Sequence, residues 1–249
     1  MLPSLSSASP LTRHSSHIRS LPASAPLSQT FGQLQQPSHR RTPYRHHPVP
    51  TRSPLSVAAA EVLPASSDAD YVHIARLRAN AFYENDRSRF VESFKKKFVA
   101  QEMESLKERT VAGPYGQLCE CLLARPEEDG QQVIGCIDIR VPRAVTGKHP
   151  AGVPAEDEKG AYILNVVVEE DSRGQGVGKA LMREAMSRAV KIWQAENLYT
   201  HVEADNEVAL HLYLTCGFKE QSSSSRFDSS VSLGKLLLLK AGAEAVNVG

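Results

Sequence analysis

Glycine occupies every second position from 174 to 178 in Arg173-Gly174-Gln175-Gly176-Val177-Gly178-Lys179, and the flanking segments differ in character. Before the turn, Ala161 to Glu169 (AYILNVVVE) is a β-branched run suited to a strand buried on both faces. After it, from Gly178 to about Glu196, Leu181, Met182, Ala185, Ala189, Ile192 and Trp193 form a helical stripe. A buried strand that turns sharply into a helix commits the chain to layers of sheet and helix. Glycines let a ligand approach the backbone because no Cβ fills the space. The N–H groups that open the helix have no partner within it, and the helix dipole faces whatever sits there. Such a turn is an anion site, most naturally for a pyrophosphate.

Two common phosphate loops do not fit. A Walker A loop, G-x-x-x-x-G-K-[ST], would need glycine where Arg173 stands and a hydroxyl where Ala180 follows Lys179. A dinucleotide fingerprint, G-x-G-x-x-G, is met at Gly174 and Gly176, but its third glycine is Lys179.

Charge is distributed unevenly along the 249 residues. No Asp or Glu precedes Glu61, and the same segment carries six Arg, five His, no Lys and a dense scatter of Ser and Pro. With few large apolar residues it cannot offset chain entropy, so residues 1–60 are expected to be disordered. An Arg- and Ser-rich, acid-free N-terminus has the character of an organelle transit peptide, here chloroplast in preference to mitochondrial, processed near Val57 to Ala60. Of 29 Lys and Arg, those six lie in the leader; the other 23 face 28 Asp and Glu, a net charge of −5. A mildly acidic body gives no support for nucleic-acid binding, and no apolar run spans a membrane. Cys119, Cys121, Cys136 and Cys216 lack zinc spacing and sit in apolar segments as small core residues, so no metal site is expected.

Residues 61–249 read as one domain. A short strand is expected at Glu61–Pro64. A helix capped at Ser67 or Asp68 carries Tyr71, Ile74, Ala75, Leu77, Arg78 and Phe82. A second runs from about Ser88 to Arg109, with Phe90, Phe94, Phe98 and Met103 near one face and Lys95–Lys97, Glu102, Glu104 and Glu108 on a solvated one. Gly113 to Gly116 breaks it. Gln117–Ala124 and Gln132–Val141 form a hairpin, and residues 142–160 are expected to be an exposed loop. Leu198–Ala204 is another strand. Asp205 or Asn206 caps a helix that ends at Gly217, Ser222–Ser225 is a loop, and Val231–Leu239 closes the sheet. The order predicts an α/β (α+β) fold with a mixed sheet.

The pattern R-x-x-G-x-G at Arg173, Gly176 and Gly178 resembles the acyl-CoA-binding turn of the GNAT superfamily of N-acetyltransferases. Downstream, VEADNEVALHLYLTCGF resembles the GNAT segment in which an Asn precedes an L-Y-x-x-x-G-F ending; here these are Asn206, Tyr213 and Cys216-Gly217-Phe218. With ILNVVVEE before the turn, the resemblance covers about residues 68–240. In particular the chain is similar to the plastid acetyltransferases that modify protein N-termini and lysines, which carry a similar leader and a similar H-V-E-A-D-N stretch.

The resemblance implies a mostly antiparallel sheet flanked by helices, and acetyl-CoA as co-substrate. Backbone groups of Val166, Val167 and Val168 would pair with the pantetheine arm at a splay in the sheet. The N–H groups of Gly174, Gln175, Gly176, Val177, Gly178 and Lys179 would hold the pyrophosphate. Asn206 would bond the cofactor arm, and Tyr213 would stand beside the thioester sulfur, where a phenol can protonate the leaving group. Many relatives place a Glu five residues before the Asn; here that position is His201. His201 and Glu203 share a strand face, so either could relay the amine's proton through water. No carboxylate lies between Tyr162 and Val168. The implied activity is acetyl transfer to protein α-amines or lysine ε-amines in the chloroplast stroma. A small arylalkylamine or polyamine acceptor, or a non-catalytic acyl-CoA-binding module, are the alternatives.

Overall fold

The computed structural model describes residues 60–110, 118–127, 130, 132–144, 146–221 and 236–248. The expected leader before Ala60, the break at Gly113 to Gly116 and the Ser222–Ser225 loop lie outside them. The elements in chain order are β1 (Glu61–Pro64), α1 (Asp68–Phe82), α2 (Val91–Arg109), β2 (Cys119–Arg125), β3 (Gly135–Arg140) and β4 (Gly160–Val168). A 3-10 turn (Glu170–Ser172) leads to α3 (Val177–Lys191), β5 (Asn197–Glu203), α4 (Glu207–Thr215), β6 (Lys219–Glu220), β7 (Leu236–Gly242) and a last 3-10 segment (Ala243–Val248). The seven strands form one sheet in the order β1-β2-β3-β4-β5-β7-β6. Only β4 and β5 pair in parallel among the described strands, which gives the mixed, mostly antiparallel sheet the sequence implied.

Local chemistry sets the ends of these elements. Ser67 caps α1 by accepting from the Asp70 N–H, and the Asp70 carboxylate accepts from the Ser67 N–H in return. Asn206 caps α4 through the Ala209 N–H at 3.1 Å. Gly217 follows α4 at φ 88°, where a side chain would be strained.

Apolar burial is divided between the two faces of the sheet. On one, α3 packs Leu181, Met182, Ala185 and Ala189 against Leu122, Ile137, Ile139, Ile163 and Leu198. On the other, α1 and α2 pack Tyr71, Ile74, Leu77 and Leu106 against Cys121, Leu123, Cys136 and Val167. The four cysteines are free, three of them buried.

Three expectations change. The apolar face of α2 is Phe98 and Leu106, while Phe90 and Phe94 are about half exposed; Glu102, expected on the solvated face, is 4% exposed. It lies one turn from each of Phe98 and Leu106, and the buried Arg78 and partly buried Arg109 satisfy its charge. The α3 helix stops at Lys191, leaving Ile192 exposed. The third change is in the β3–β4 connection, expected to be an exposed loop: it folds down onto the sheet. Val153 packs with Tyr162, Tyr199 and Leu238, and Asp157 accepts hydrogen bonds from Tyr199 (2.7 Å) and Asn197 (2.9 Å).

Candidate active site

β4 and β5 pair only at Gly160–Asn197, Ala161–Leu198 and Tyr162–Tyr199, then part. Beyond that point β4 stays with β3 as far as Val168, and β5 stays with β7 as far as Glu203. One edge of the Leu164–Val168 segment therefore faces an opening with no strand partner among the described residues. An extended ligand carrying amide groups fits such an edge, because it can complete the ladder.

The glycine turn follows directly. Gly174 and Gly176 have φ 76° and 87°, a region open to glycine at no steric cost, and a Cβ at either would meet nothing within 4 Å. Gly176 is the N-cap of α3 and no side chain caps that end, so the first-turn N–H groups of α3 are presented to the open side. Val177 turns its side chain into the core, leaving only backbone for a ligand. Gly178 differs: a Cβ there would lie 3.3 Å from Leu212 of α4, so this glycine serves close packing of the turn against that helix. Gln175 braces the turn by donating to the Asp171 carbonyl at 2.7 Å, and Lys179 extends into solvent near Cys216. The residues present fit an anion at this turn.

Arg173 does something the sequence did not suggest. Its Nε donates to the Val168 carbonyl, and its two terminal nitrogens form a fork on the Glu84 carboxylate at 3.1 and 3.0 Å. The first residue of the turn thus ties the end of β4 to the segment after α1.

Tyr213 projects from α4 to the point where the strands part, and is 6% exposed. Burial raises its pKa, with a neighbouring Thr200 hydroxyl pulling slightly the other way, so the phenol keeps its proton. Thr200 is the first β5 residue beyond the last β4 pair, and its buried Oγ1 has no partner at full hydrogen-bond geometry. Asn206 Oδ1 is spent on the helix cap, which leaves Nδ2 without a hydrogen bond among the described residues.

His201 and Glu203 lie on the opposite face of β5 from Thr200. His201 Nδ1 sits 2.8 Å from the Tyr162 hydroxyl, and a backbone hydrogen bond at Ala151, in the β3–β4 connection, engages the ring as well. Burial lowers the His201 pKa more than that bond restores it, so the imidazole is neutral near pH 7 and Tyr162 is the natural donor to Nδ1. Burial pushes the Tyr162 phenol up to about 12. Glu203 is half-buried and forms no ion pair among the described residues. Tyr162 and Ala151 were not singled out in the sequence. The only signal for Tyr162 was the one aromatic in a strand built, apart from Asn165, of glycine and aliphatics.

The family model described as acetyltransferase (GNAT) family matches residues 79–218. GCN5-related N-acetyltransferase 6, chloroplastic, of Arabidopsis thaliana is 31% identical over 175 residues, covering 62% of this chain and 60% of that protein. The Arabidopsis chloroplastic protein numbered 7 is 25% identical over 175 residues, covering 60% and 63%. The matches thus span less than two thirds of either relative. An N-alpha-acetyltransferase of Sulfurisphaera tokodaii is 34% identical over 95 residues, covering 38% of this chain and 54% of that protein. Among solved structures, a chimera of the spermidine N-acetyltransferase SpeG from Vibrio cholerae and hSSAT shares the fold. Its TM-score is 0.53 at 14% identity, over 76% of this chain and 98% of that one. PaiA N-acetyltransferase from Thermoplasma acidophilum in complex with coenzyme A gives 0.50 at 18% identity, over 74% and 99%.

Proposed function

Because the chain belongs to the GNAT acetyltransferase family, we propose that it transfers acetyl from acetyl-CoA to protein amines, N-terminal α-amines and lysine ε-amines, in the plastid stroma. The observation that carries the reading is the opening between β4 and β5, with the glycine turn beyond its β4 arm and the Tyr213 phenol where the strands part. The Val166–Val168 edge would hold the pantetheine arm, the N–H groups from Gly174 to Lys179 the pyrophosphate, and Asn206 Nδ2 a carbonyl of the arm. The coenzyme A complex of PaiA, which shares the fold, is in keeping with this ligand class.

When bound, acetyl-CoA supplies an activated acetyl group with a thiolate as leaving group. Tyr213, kept protonated by burial, has a proton to offer that sulfur. A lysine amine must shed a proton it binds with a pKa near 10.4 before it can attack. Glu203 carries a carboxylate on the acceptor face and would take that proton through water. His201, with Tyr162 on Nδ1 and Ala151 beyond, would fix that wall of the site, and its Nδ1 would take the Tyr162 proton as the Tyr162 oxygen takes one from the amine.

One relative's name favours protein amines over a polyamine: the Sulfurisphaera protein is an N-alpha-acetyltransferase. The test is acetylation of a mixed peptide library by the full chain, read by mass spectrometry with α- and ε-amines scored separately and spermidine in a parallel arm. Products at both kinds of peptide amine support the proposal. Turnover of spermidine alone moves the acceptor class to small amines, and acetyl-CoA binding without any product moves the chain to a non-catalytic module.

A further inference from the structure

The β4 strand contains an irregularity just beyond the point where it parts from β5. Asp138 of β3 pairs with Leu164, but Cys136, two residues earlier, pairs with Val167, so β4 holds one residue more than β3 across this interval. The packing records the same insertion. Ala161 and Ile163 turn to the α3 side, and after the extra residue Val166 and Val168 turn to that side too, while Val167 meets the α1 and α2 side. Alternation has slipped by one. The residue at the slip is Asn165, at φ 54°, one of two non-glycine residues with positive φ among those described.

Asn165 is tied in place from behind. Its Nδ2 donates to Asp138 Oδ2 at 2.8 Å. Asp138 Oδ1 accepts from Arg78 of α1 at 2.6 Å, and Asp138 Oδ2 also accepts from Arg109 of α2 at 3.2 Å. Both arginines donate to Glu102 Oε1, at 2.6 and 2.7 Å. Arg78 is fully buried, and Glu102 and Asp138 nearly so. Burial by itself would raise the Asp138 pKa, but the two guanidinium charges outweigh it and hold the carboxyl well below its ordinary range. One buried and one partly buried cation with two buried anions gain little over a well-packed apolar core. What they supply is direction: Asp138 Oδ2 is held by α2 and aimed at the slip in β4.

We propose that Asn165 is a positioning residue for acetyl-CoA, and that Asp138, set by Arg78 and Arg109, fixes it so that Val166–Val168 turn away from β5 with their free edge toward the ligand arm. The assignment rests on the reading that this edge holds the arm. It also couples α1 and α2 to the strand that would hold the cofactor.

The test compares the full wild-type chain with Asn165→Ala and Asn165→Gly. Alanine loses the tether and resists a positive φ; glycine loses the tether but accepts the φ. Acetyl-CoA dissociation constants come from calorimetry, KM for each substrate from steady-state kinetics, and folding from thermal unfolding. For Asn165→Ala the dissociation constant and KM for acetyl-CoA should rise about tenfold, with acceptor KM nearly unchanged and glycine falling between. A merely structural role would lower the melting temperature and leave that split untouched. If the alanine variant does not fold, the glycine variant carries the comparison. A folded variant that binds acetyl-CoA like wild type overturns the assignment alone. A wild-type chain that binds no acetyl-CoA overturns the site itself and the assignment with it.

Discussion

Replacing Gly176 by alanine separates what the turn does for the fold from what it does for a ligand. At φ 87° an alanine is strained by about 1–2 kcal/mol. The added methyl meets no atom within 4 Å, so no packing cost adds to that. For a domain of this size the melting temperature should fall by about 2–8 °C. The methyl does occupy the side from which an anion must approach the first N–H groups of α3, so acetyl-CoA affinity should fall at least about tenfold, or about 1.4 kcal/mol. Gly178→Ala is the control. Gly178 lies within α3 and its φ is not positive; a Cβ would touch the end of the flexible Leu212 side chain at 3.3 Å. Alanine gains up to about 1 kcal/mol of helix propensity there, which offsets the tight contact. Gly178→Ala should therefore melt close to wild type and bind acetyl-CoA nearly as well. Differential scanning fluorimetry and isothermal titration calorimetry on the three proteins decide the matter. Equal affinities with Gly176→Ala folded would remove the anion from this turn. A larger loss from Gly178→Ala than from Gly176→Ala would refute the division of labour.

If Tyr213 protonates the leaving sulfur as proposed, Tyr213→Phe should drop kcat about a hundredfold while the acetyl-CoA dissociation constant, read by calorimetry, hardly moves. Asp157→Ala strips acceptors from the Tyr199 hydroxyl and the Asn197 amide; a loss of about 1–3 kcal/mol is expected in denaturant unfolding, with faster proteolysis within the β3–β4 connection. The folded-state pKa of His201 is depressed below 6.5, so its contribution to stability is whole above that pH. It is lost as the pH falls from there through the lower folded value, because the unfolded chain takes up the proton first. The drop in melting temperature between about pH 7.5 and pH 5.5 should thus shrink in His201→Asn, which can still accept from Tyr162; an unchanged drop would contradict a buried neutral imidazole.

Much of the site could be read from the sequence, and the parts that could share a common cause. The strand before the turn, the glycines, the Asn206 cap, the Gly217 ending and the helical run bearing Tyr213 are set by interactions a few residues long: which φ a residue tolerates, which side chain reaches an N–H three positions on, which spacing puts apolar groups on one face. Alternation within Ala161–Glu169 did not reveal the slip at Asn165. A single Asn in an aliphatic run reads as a polar interruption until its partner is known.

What tertiary structure decided lies between residues far apart in the chain. Glu102 is 24 positions from Arg78, Arg78 is 60 from Asp138, Asp138 is 27 from Asn165, and Tyr162 is 39 from His201. On an isolated helix Glu102 is one more solvated charge. It becomes a buried ligand of two arginines only once α1, α2 and β3 are packed together. The β3–β4 connection likewise has no periodicity to mark it as part of the core, and Asp157 acquires its role when Tyr199 and Asn197 arrive beneath it. Sequence by itself determined the glycine turn and the strand and helix around it, because backbone geometry is local. The fold determined how the strand opens and which groups His201 can reach, because a buried charge or a ring nitrogen takes its state from neighbours that only the folded chain brings within hydrogen-bond distance.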